Sequence, residues 1–183
     1  MHYTLETERL ILKRLTPNDF IFLFENYAED EIKRFLGYTQ EEEFIKEKNT
    51  FENGYTNFNR SFEFFQMIDK ETKTIFGGLG FHNWFLDHRR AELGYAIRHE
   101  DFKNKGFMSE ALKPILEHGF EKMNLHRIEA LVGKENAPSL KLMQKFNFVP
   151  EGMMREHYFI NGFFEDSLVF SKLKSDGQLL NNF

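Results

Sequence analysis

Polar and apolar positions change period several times along the chain, and each change predicts an element. From Glu8 to Leu15 they alternate, with Leu10 and Leu12 on one side and Arg9, Ile11 and Lys13 on the other, which predicts a first strand. Thr16-Pro17-Asn18-Asp19 reads as a helix start, with Thr16 as N-cap, Pro17 in the first helical position and Asp19 in the first turn. The helix that follows is expected to bury Phe20, Leu23, Phe24 and Tyr27. A second start comes at Thr39, with Glu42 in the capping-box position, and Phe44, Ile45 and Phe51 mark a helix ending near Gly54. Residues 29–60 are polar, studded with aromatics and the least regular stretch; they read equally as a lid over a substrate or as a solvated helical pair over a sheet.

From Ser61 the period shortens to that of strands. Phe62–Ile68 is one, a turn spans Asp69–Thr72, and Thr74–His82 is the next, interrupted by Gly77, Gly78 and Gly80 as if by a bulge or a close backbone contact. Asn83–His88 reads as a loop holding Trp84, the one tryptophan, and Arg90–Arg98 as a further strand. Met108, Ala111, Leu112, Ile115, Leu116, Gly119, Phe120 and Met123 recur at helical spacing, with Pro114 expected to bend that helix without ending it. Arg127–Val132 alternates again, a short helix spans Asn136–Phe146, and Phe148–Ile160 and Phe163–Leu173 flank Asn161-Gly162, a strong two-residue hairpin signal. Residues 175–183 read as a polar, frayed tail. The pattern predicts a single α/β (α+β) domain over residues 1–183, a mixed and mostly antiparallel twisted sheet of about seven strands with about four helices.

Composition narrows the function. A chain of 183 residues suits one domain, and 23 phenylalanines predict an aromatic core. A net charge of −5 argues against non-specific nucleic-acid binding and suits an amine-bearing substrate. No cysteine is present, which removes disulfides, thiolate metal sites and a cysteine nucleophile. The seven histidines show no metal-ligand spacing, so no metal is expected. No stretch approaches the ~20 apolar residues of a membrane span. The opening residues lack a signal-peptide layout, so a cytoplasmic location is expected.

The chemistry concentrates between Glu92 and Ala111. Glu92–Arg98 reads as a buried strand and Lys103–Ala111 as a basic turn feeding a helix N-terminus. Unpaired N–H groups and the helix dipole there favour an anion such as a diphosphate. Gly106 would let a ligand approach the backbone, Lys103 and Lys105 add positive charge, and Ser109 can donate one hydroxyl hydrogen bond. On spacing alone an ordinary solvated turn is an even match.

The turn K-N-K-G-F-M-S-E-A resembles the acetyl-CoA loop of the GNAT acyltransferases, whose pattern is Gln/Arg-x-x-Gly-x-Gly/Ala. The opening T-E-R-L-I-L-K-R-L-T-P-N-D, and H-R-I-E-A-L-V-G-K-E-N-A-P-S-L-K-L-M-Q-K-F-N-F-V-P-E-G followed by the Asn-Gly pair, resemble the RimJ/RimL branch, the ribosomal-protein N-terminal acetyltransferases. The resemblance runs from about Glu6 to Leu173. Departures are Lys103 for Gln or Arg, Asn104 where this branch often has Gly, Met108 for Gly or Ala, and Phe146-Asn147-Phe148 for Leu/Ile-Gly-Phe. Asn147 can end its helix because asparagine tolerates a left-handed backbone.

The resemblance implies acetyl-CoA as co-substrate and an amine acceptor, in a monomer or homodimer. It implies that backbone groups of Tyr95, Ala96 and Ile97 pair with the pantetheine arm. Lys103, Asn104, Lys105, Gly106, Phe107, Met108 and Ser109 would hold the diphosphate, Asn136 the CoA arm, and Lys145 would lie near the nucleotide phosphates. Met143 stands where many relatives carry a tyrosine acid and cannot donate a proton; Ser139 is the expected replacement, facing the leaving thiolate. Glu92 is the expected base, with a partnership to Arg89 or Arg90 an equal alternative. Trp84 and Tyr158 are placed on the substrate side, and His82 and His126 are expected to be structural. The expected reaction is direct attack of a neutral amine on the thioester, most simply by a protein α-amine, whose pKa near ~8 leaves roughly a tenth neutral at pH 7. A small amine acceptor (polyamine, amino acid or antibiotic) and a non-catalytic acetyl-CoA sensor are the rival readings.

Overall fold

A computed structural model describes residues 3–55, 60–160 and 162–176. In chain order these form β1 (Thr4–Glu6), β2 (Leu10–Leu15), α1 (Pro17–Asn26), α2 (Glu29–Leu36), α3 (Glu41–Asn53), β3 (Arg60–Asp69), β4 (Ile75–Phe85) and β5 (Arg90–Ile97). After a 3-10 turn at Glu100–Phe102 come α4 (Phe107–Glu121), β6 (Arg127–Gly133), α5 (Ala137–Lys145), β7 (Val149–Ile160) and β8 (Phe163–Leu173). Among the described residues, eight strands make one sheet in the order β1-β2-β3-β4-β5-β6-β8-β7. All neighbours are antiparallel except β5 and β6, which run parallel.

The mixed, mainly antiparallel α+β class agrees with the sequence, and the element count corrects it by one strand and one helix. The extra strand, β1, has three residues and pairs with β2, too short for a visible period. The extra helix, α2, buries Ile32 and Leu36 inside a charged run and stops at Gly37, whose φ of 70° is left-handed. β7 and β8 pair as expected, but Asn161 of the predicted Asn161-Gly162 turn lies outside the described residues, as do 56–59 of the irregular stretch and 177–183 of the tail.

Two clusters flank the sheet. On one face α4 packs on β2–β6 through Ala111, Leu112 and Ile115 against Phe65, Phe81 and Ile128, all at most 1% exposed. On the other, α1–α3 close over Leu15, Phe62 and Phe64 through Phe20, Leu23, Ile32 and Phe44. Burying each of these large side chains contributes about 1.5–3 kcal/mol. The close contact predicted at the glycines is present: a Cβ on Gly78 would overlap the Phe64 ring.

Several local expectations shift. Asp19 accepts hydrogen bonds from the Thr16 N–H and hydroxyl, as the helix start at Thr16 required. Phe24 is half-buried, stacked on Phe51 at 4.8 Å, but Tyr27 is the C-cap of α1 and exposed. Gln40, not Thr39, holds the N-cap position of α3, and Glu43 rather than Glu42 reaches back, to the Thr39 N–H at 3.4 Å. Ile45 is exposed. Trp84 is not in a loop: β4 continues past an irregularity at His82–Phe85, and Trp84 pairs with Ser61 and packs on the core. Pro114 sits within α4, which runs unbroken to Glu121.

Candidate active site

The site begins where the sheet comes apart. β5 and β6 pair only at Arg90–Arg127, Ala91–Ile128 and Glu92–Glu129. Beyond that, β5 keeps its β4 ladder as far as Ile97 and β6 its β8 ladder as far as Gly133. The facing edges from Leu93 onward are therefore without a strand partner. Tyr95, Ala96 and Ile97 lie on that edge, where the sequence placed them. An extended molecule with amide groups can occupy such a gap as a surrogate strand.

The basic turn lies past the end of β5. Gly106 is the N-cap of α4 with φ of 81°, a left-handed value glycine takes without penalty. No side chain caps the helix, and its first internal hydrogen bond runs from the Glu110 N–H to the Gly106 carbonyl. The N–H groups of Phe107, Met108 and Ser109 are thus the unpaired donors of a helix N-terminus. Asn104 is also left-handed, φ 57°, which explains how asparagine serves where relatives of this type have glycine. Met108 is buried on the core face and leaves the cradle clear. Lys103 pairs with Glu100, and Lys105 is exposed. A residue the sequence reading missed completes the turn: Arg9 stacks over Phe107 at 4.1 Å, donates to the Lys105 carbonyl, and is held by Glu110 at 2.7 Å. Burial pushes the Glu110 carboxyl up, but hydrogen bonds from Thr7 and Arg9 outweigh it and hold it below its usual range. Arg9 is far away in sequence, and only the β2–α4 packing reveals it.

On the face covered by α1 and α3 is a cavity of about 540 Å³. Its walls are aromatic, with Tyr38, Tyr55 and Phe62, and its floor includes Gly78, Gly80, Gly94 and Ala96. Arg98 binds Glu43 at 3.0 Å and lies over the Tyr38 ring at 4.9 Å, Tyr38 donates to Glu47 at 2.6 Å, Arg60 lies over the Phe85 ring at 4.7 Å, and Glu63 is taken by His118 of α4 at 2.7 Å. Burial, reinforced by Glu47, pushes the Tyr38 and Tyr55 hydroxyls well up. Among the described residues, the buried side-chain polar atoms lacking a well-formed partner are Tyr55 Oη, Tyr95 Oη and Arg98 Nη1, all on residues lining this cavity.

Glu92 is paired, but not with Arg89 or Arg90. Arg89 is taken by Asn124 and Arg90 by Glu129. Instead His82, its partner across β4 and β5, brings Nε2 to 3.2 Å from Glu92 Oε1, and Asn83 donates to Oε2 at 2.9 Å. Burial raises the Glu92 carboxyl, but His82 and Asn83, with the charge of His157, lower it further, leaving it below its usual value. His82, expected to be a lone histidine, is therefore not alone: its side chain is 48% exposed and contacts Glu92.

Across the gap is α5. Asn136 is its N-cap, accepting from the Ser139 N–H at 3.2 Å. Ser139 is 9% exposed and Met143 is fully buried. The Tyr95 hydroxyl lies beside Ser139 without completing a well-formed hydrogen bond, and burial pushes its pKa up. Asn147 is left-handed, φ 53°, just after Phe146 ends the helix, as expected. Lys145 is exposed in the last turn of α5. On β7, Tyr158 is exposed, and partial burial together with the charge of Glu92 raises its pKa.

Among the described residues no cluster of three or more His, Asp or Glu side chains is placed to hold a metal ion, and no helix is long and apolar enough to cross a membrane.

A family model described as an acetyltransferase (GNAT) domain matches residues 9–149. The N-acetyltransferase YoaA of Bacillus subtilis (strain 168), itself uncharacterized, is 33% identical over 171 residues, spanning 93% of this chain and 96% of that protein. The structure of a ribosomal-protein-S5-alanine acetyltransferase from Vibrio fischeri superposes with a TM-score of 0.67 at 21% identity, over 95% of this chain and 98% of the other. A dodecameric spermidine N-acetyltransferase from Vibrio cholerae gives a TM-score of 0.68 at 24% identity, over 96% of this chain and 99% of the other. At these identities the two structures speak for the fold.

Proposed function

The chain belongs to the GNAT acetyltransferase family and is an N-acetyltransferase; we propose that it transfers the acetyl group of acetyl-CoA to a protein N-terminal α-amine of the ribosomal-protein type. The observation that carries this reading is the charge balance of the cavity. Among the described residues its walls carry Arg60 and Arg98 but, with Glu63 turned to His118 on α4, Glu47 as the one acidic side chain, which already accepts from the Tyr38 hydroxyl. A polyamine would bring several positive charges to walls whose arginines outnumber that carboxylate. One amine on a peptide brings a single charge, and a terminal amine sheds its proton near pH ~8. The aromatic walls suit the side chain of a first residue.

Acetyl-CoA fits the chain's own groups. Lys103–Ser109 offer the helix-terminal N–H groups and the charge for the diphosphate, and the edge of Tyr95–Ile97 offers backbone partners for the amides of the arm. A β5 backbone N–H polarises the thioester carbonyl. Asn136 orders the first turn of α5 and so sets Ser139, whose hydroxyl is the hydrogen-bond donor for the departing sulfur. The sheet and α5 hold the reactants together, which is the largest saving available to a direct transfer.

The test is release of CoA thiol from acetyl-CoA with a panel of N-terminal peptides, spermidine, spermine and free amino acids. Peptides are expected to exceed the small amines by at least tenfold in kcat/KM. Preference for spermidine would assign the small-amine role, and tight acetyl-CoA binding with no turnover would make the chain a sensor. In parallel, Lys103→Glu with Lys105→Glu should raise the acetyl-CoA Kd about tenfold, less so at high salt. An unchanged Kd would move the diphosphate elsewhere.

A further inference from the structure

We propose that His82 is the base that takes the proton from the incoming amine, that Glu92 positions its ring, and that residue 94 is glycine so that the ring can lie there. This deepens the acetyl-transfer reading and depends on it.

The geometry divides the two roles. Both Glu92 oxygens are engaged, Oε1 by His82 Nε2 and Oε2 by Asn83 Nδ2, and its side chain is only 12% exposed. A carboxylate so held is shielded from an arriving amine. The His82 ring is exposed on the cavity side. A carboxylate at Nε2 favours the tautomer with its proton there and its lone pair on Nδ1. Nδ1 is the nitrogen that stands over Gly94: a Cβ on that residue would come within 3.1 Å of it and within 2.9 Å of Cε1. Gly94 is the second residue past the last β5–β6 pair, and its partner across the ladder, Gly80, also lacks a side chain. The ring's free nitrogen therefore hangs over bare backbone at the mouth of the gap. The 3.2 Å contact is a charge contact that is not yet aligned as a hydrogen bond; catalytic contacts of this kind commonly align and tighten once substrate is bound.

The step balances without a further reactant. The amine nitrogen attacks the thioester carbonyl, an N–C bond forms, the C–S bond breaks and its electron pair goes to sulfur. One amine proton passes to His82 Nδ1 and from there to solvent. The sulfur, with Ser139 as hydrogen-bond donor, takes a proton from solvent.

The charged and titratable groups around the pair are few. His157 and Tyr158 on β7 are near enough to interact with the charge of Glu92, with the His157 ring against the Ser167 hydroxyl at 3.1 Å. Arg60 lines the cavity from β3, and Glu129 on β6 is neutralised by Arg90 and Arg127. Protonation of His82 would remove the lone pair, so kcat/KM reckoned on the neutral fraction of the amine should still rise with pH along an acid-side limb.

The experiment uses the full chain, acetyl-CoA and the best amine from the panel above. His82→Gln should lower kcat/KM about 100-fold, leave the acetyl-CoA KM within twofold and abolish the acid-side limb. Imidazole added to His82→Ala should restore part of the rate, and added to Ser139→Ala it should not. Glu92→Gln should lose less than His82→Gln and keep a shifted limb. Full activity and an intact limb in folded His82→Gln, with Glu92→Gln inactive, would return the base role to Glu92 and overturn the proposal. Wild-type protein that binds acetyl-CoA but acetylates no amine would instead overturn the acetyl-transfer reading beneath it.

Discussion

Replacing Gly94 with alanine adds one carbon where the His82 ring leaves no room. The new Cβ would stand 2.9 Å from Cε1 and 3.1 Å from Nδ1, against a comfortable carbon separation of about 3.5–4.0 Å. The ring must retreat by roughly 0.5–1 Å. It can do so by rotating, because its side chain is half exposed and no backbone atom crowds that Cβ. Gly94 is not in the left-handed region, so alanine adds no backbone strain. Losing the glycine restricts the unfolded chain and is worth about 0.4–1 kcal/mol in favour of folding, which offsets about as much from the displaced ring. The net stability change should lie within about 1 kcal/mol, or roughly 3 °C in Tm for a domain of this size. Activity should respond quite differently. A ring moved off Glu92 loses its orientation, and a general base contributes about 10²–10⁴-fold, so kcat/KM for the amine should fall about 100-fold with the acetyl-CoA KM unchanged. Thiol release and a thermal melt on the same preparation read both quantities. Full activity at an unchanged Tm would refute the reasoning, since the ring would then be idle. A Tm loss of 10 °C would refute it differently, by showing that the contact supports packing rather than chemistry.

Two further outcomes are expected. Ser139→Ala should lower kcat by at least tenfold and change the acetyl-CoA Kd by less than threefold; equal turnover would remove the serine from the reaction. Arg127, pairing through both terminal nitrogens, and Ser171, donating at 2.7 Å, hold the Glu151 carboxyl down to about 2 from an ordinary value of 4.5. A depressed folded pKa gives stability that is present above pH 4.5 and lost as pH falls towards 2. With the Glu151 side chain 38% exposed, solvent screening reduces the contribution to about 1 kcal/mol. Urea titrations of Glu151→Gln should show that loss at pH 7 and a shrinking difference below pH 4.5; a pH-independent difference would mean that charge is not the cause.

Local signals in the sequence located most of the elements. Thr16-Pro17-Asn18-Asp19 starts α1 as its residue types require, and the spacing from Met108 to Gly119 matches the buried face of α4. The strand that carries Tyr95 and the helix that carries Ser139 were legible because they lie in short stretches of distinctive order. The limits appear where partners are distant in sequence. Arg9 reaches the basic turn across 96 residues, from its guanidinium to the Lys105 carbonyl. The pairing of His82 with Glu92 was not legible because it lies in a cross-strand register, and register is set by turns and bulges rather than by either residue alone. Trp84 was misplaced for the same reason: an irregularity carries β4 through a polar stretch that reads as a loop. The Glu92 partnership was judged by nearness in sequence to Arg89 and Arg90, whose guanidiniums turn instead to Asn124 and Glu129.

The seam between β5 and β6 has a consequence beyond chemistry. Five strands lie on one side of it and three on the other, and backbone pairing joins them at only three residue pairs. A molecule lying in the seam would act as a splint across the two parts. At a concentration 100 times its Kd it would add about 2.7 kcal/mol to the folded state, a sizeable share of what keeps a domain of ordinary stability intact. The survival of the protein among proteases should then follow the abundance of its splint, so that a cell short of acetyl donor would hold fewer copies of the catalyst that consumes it.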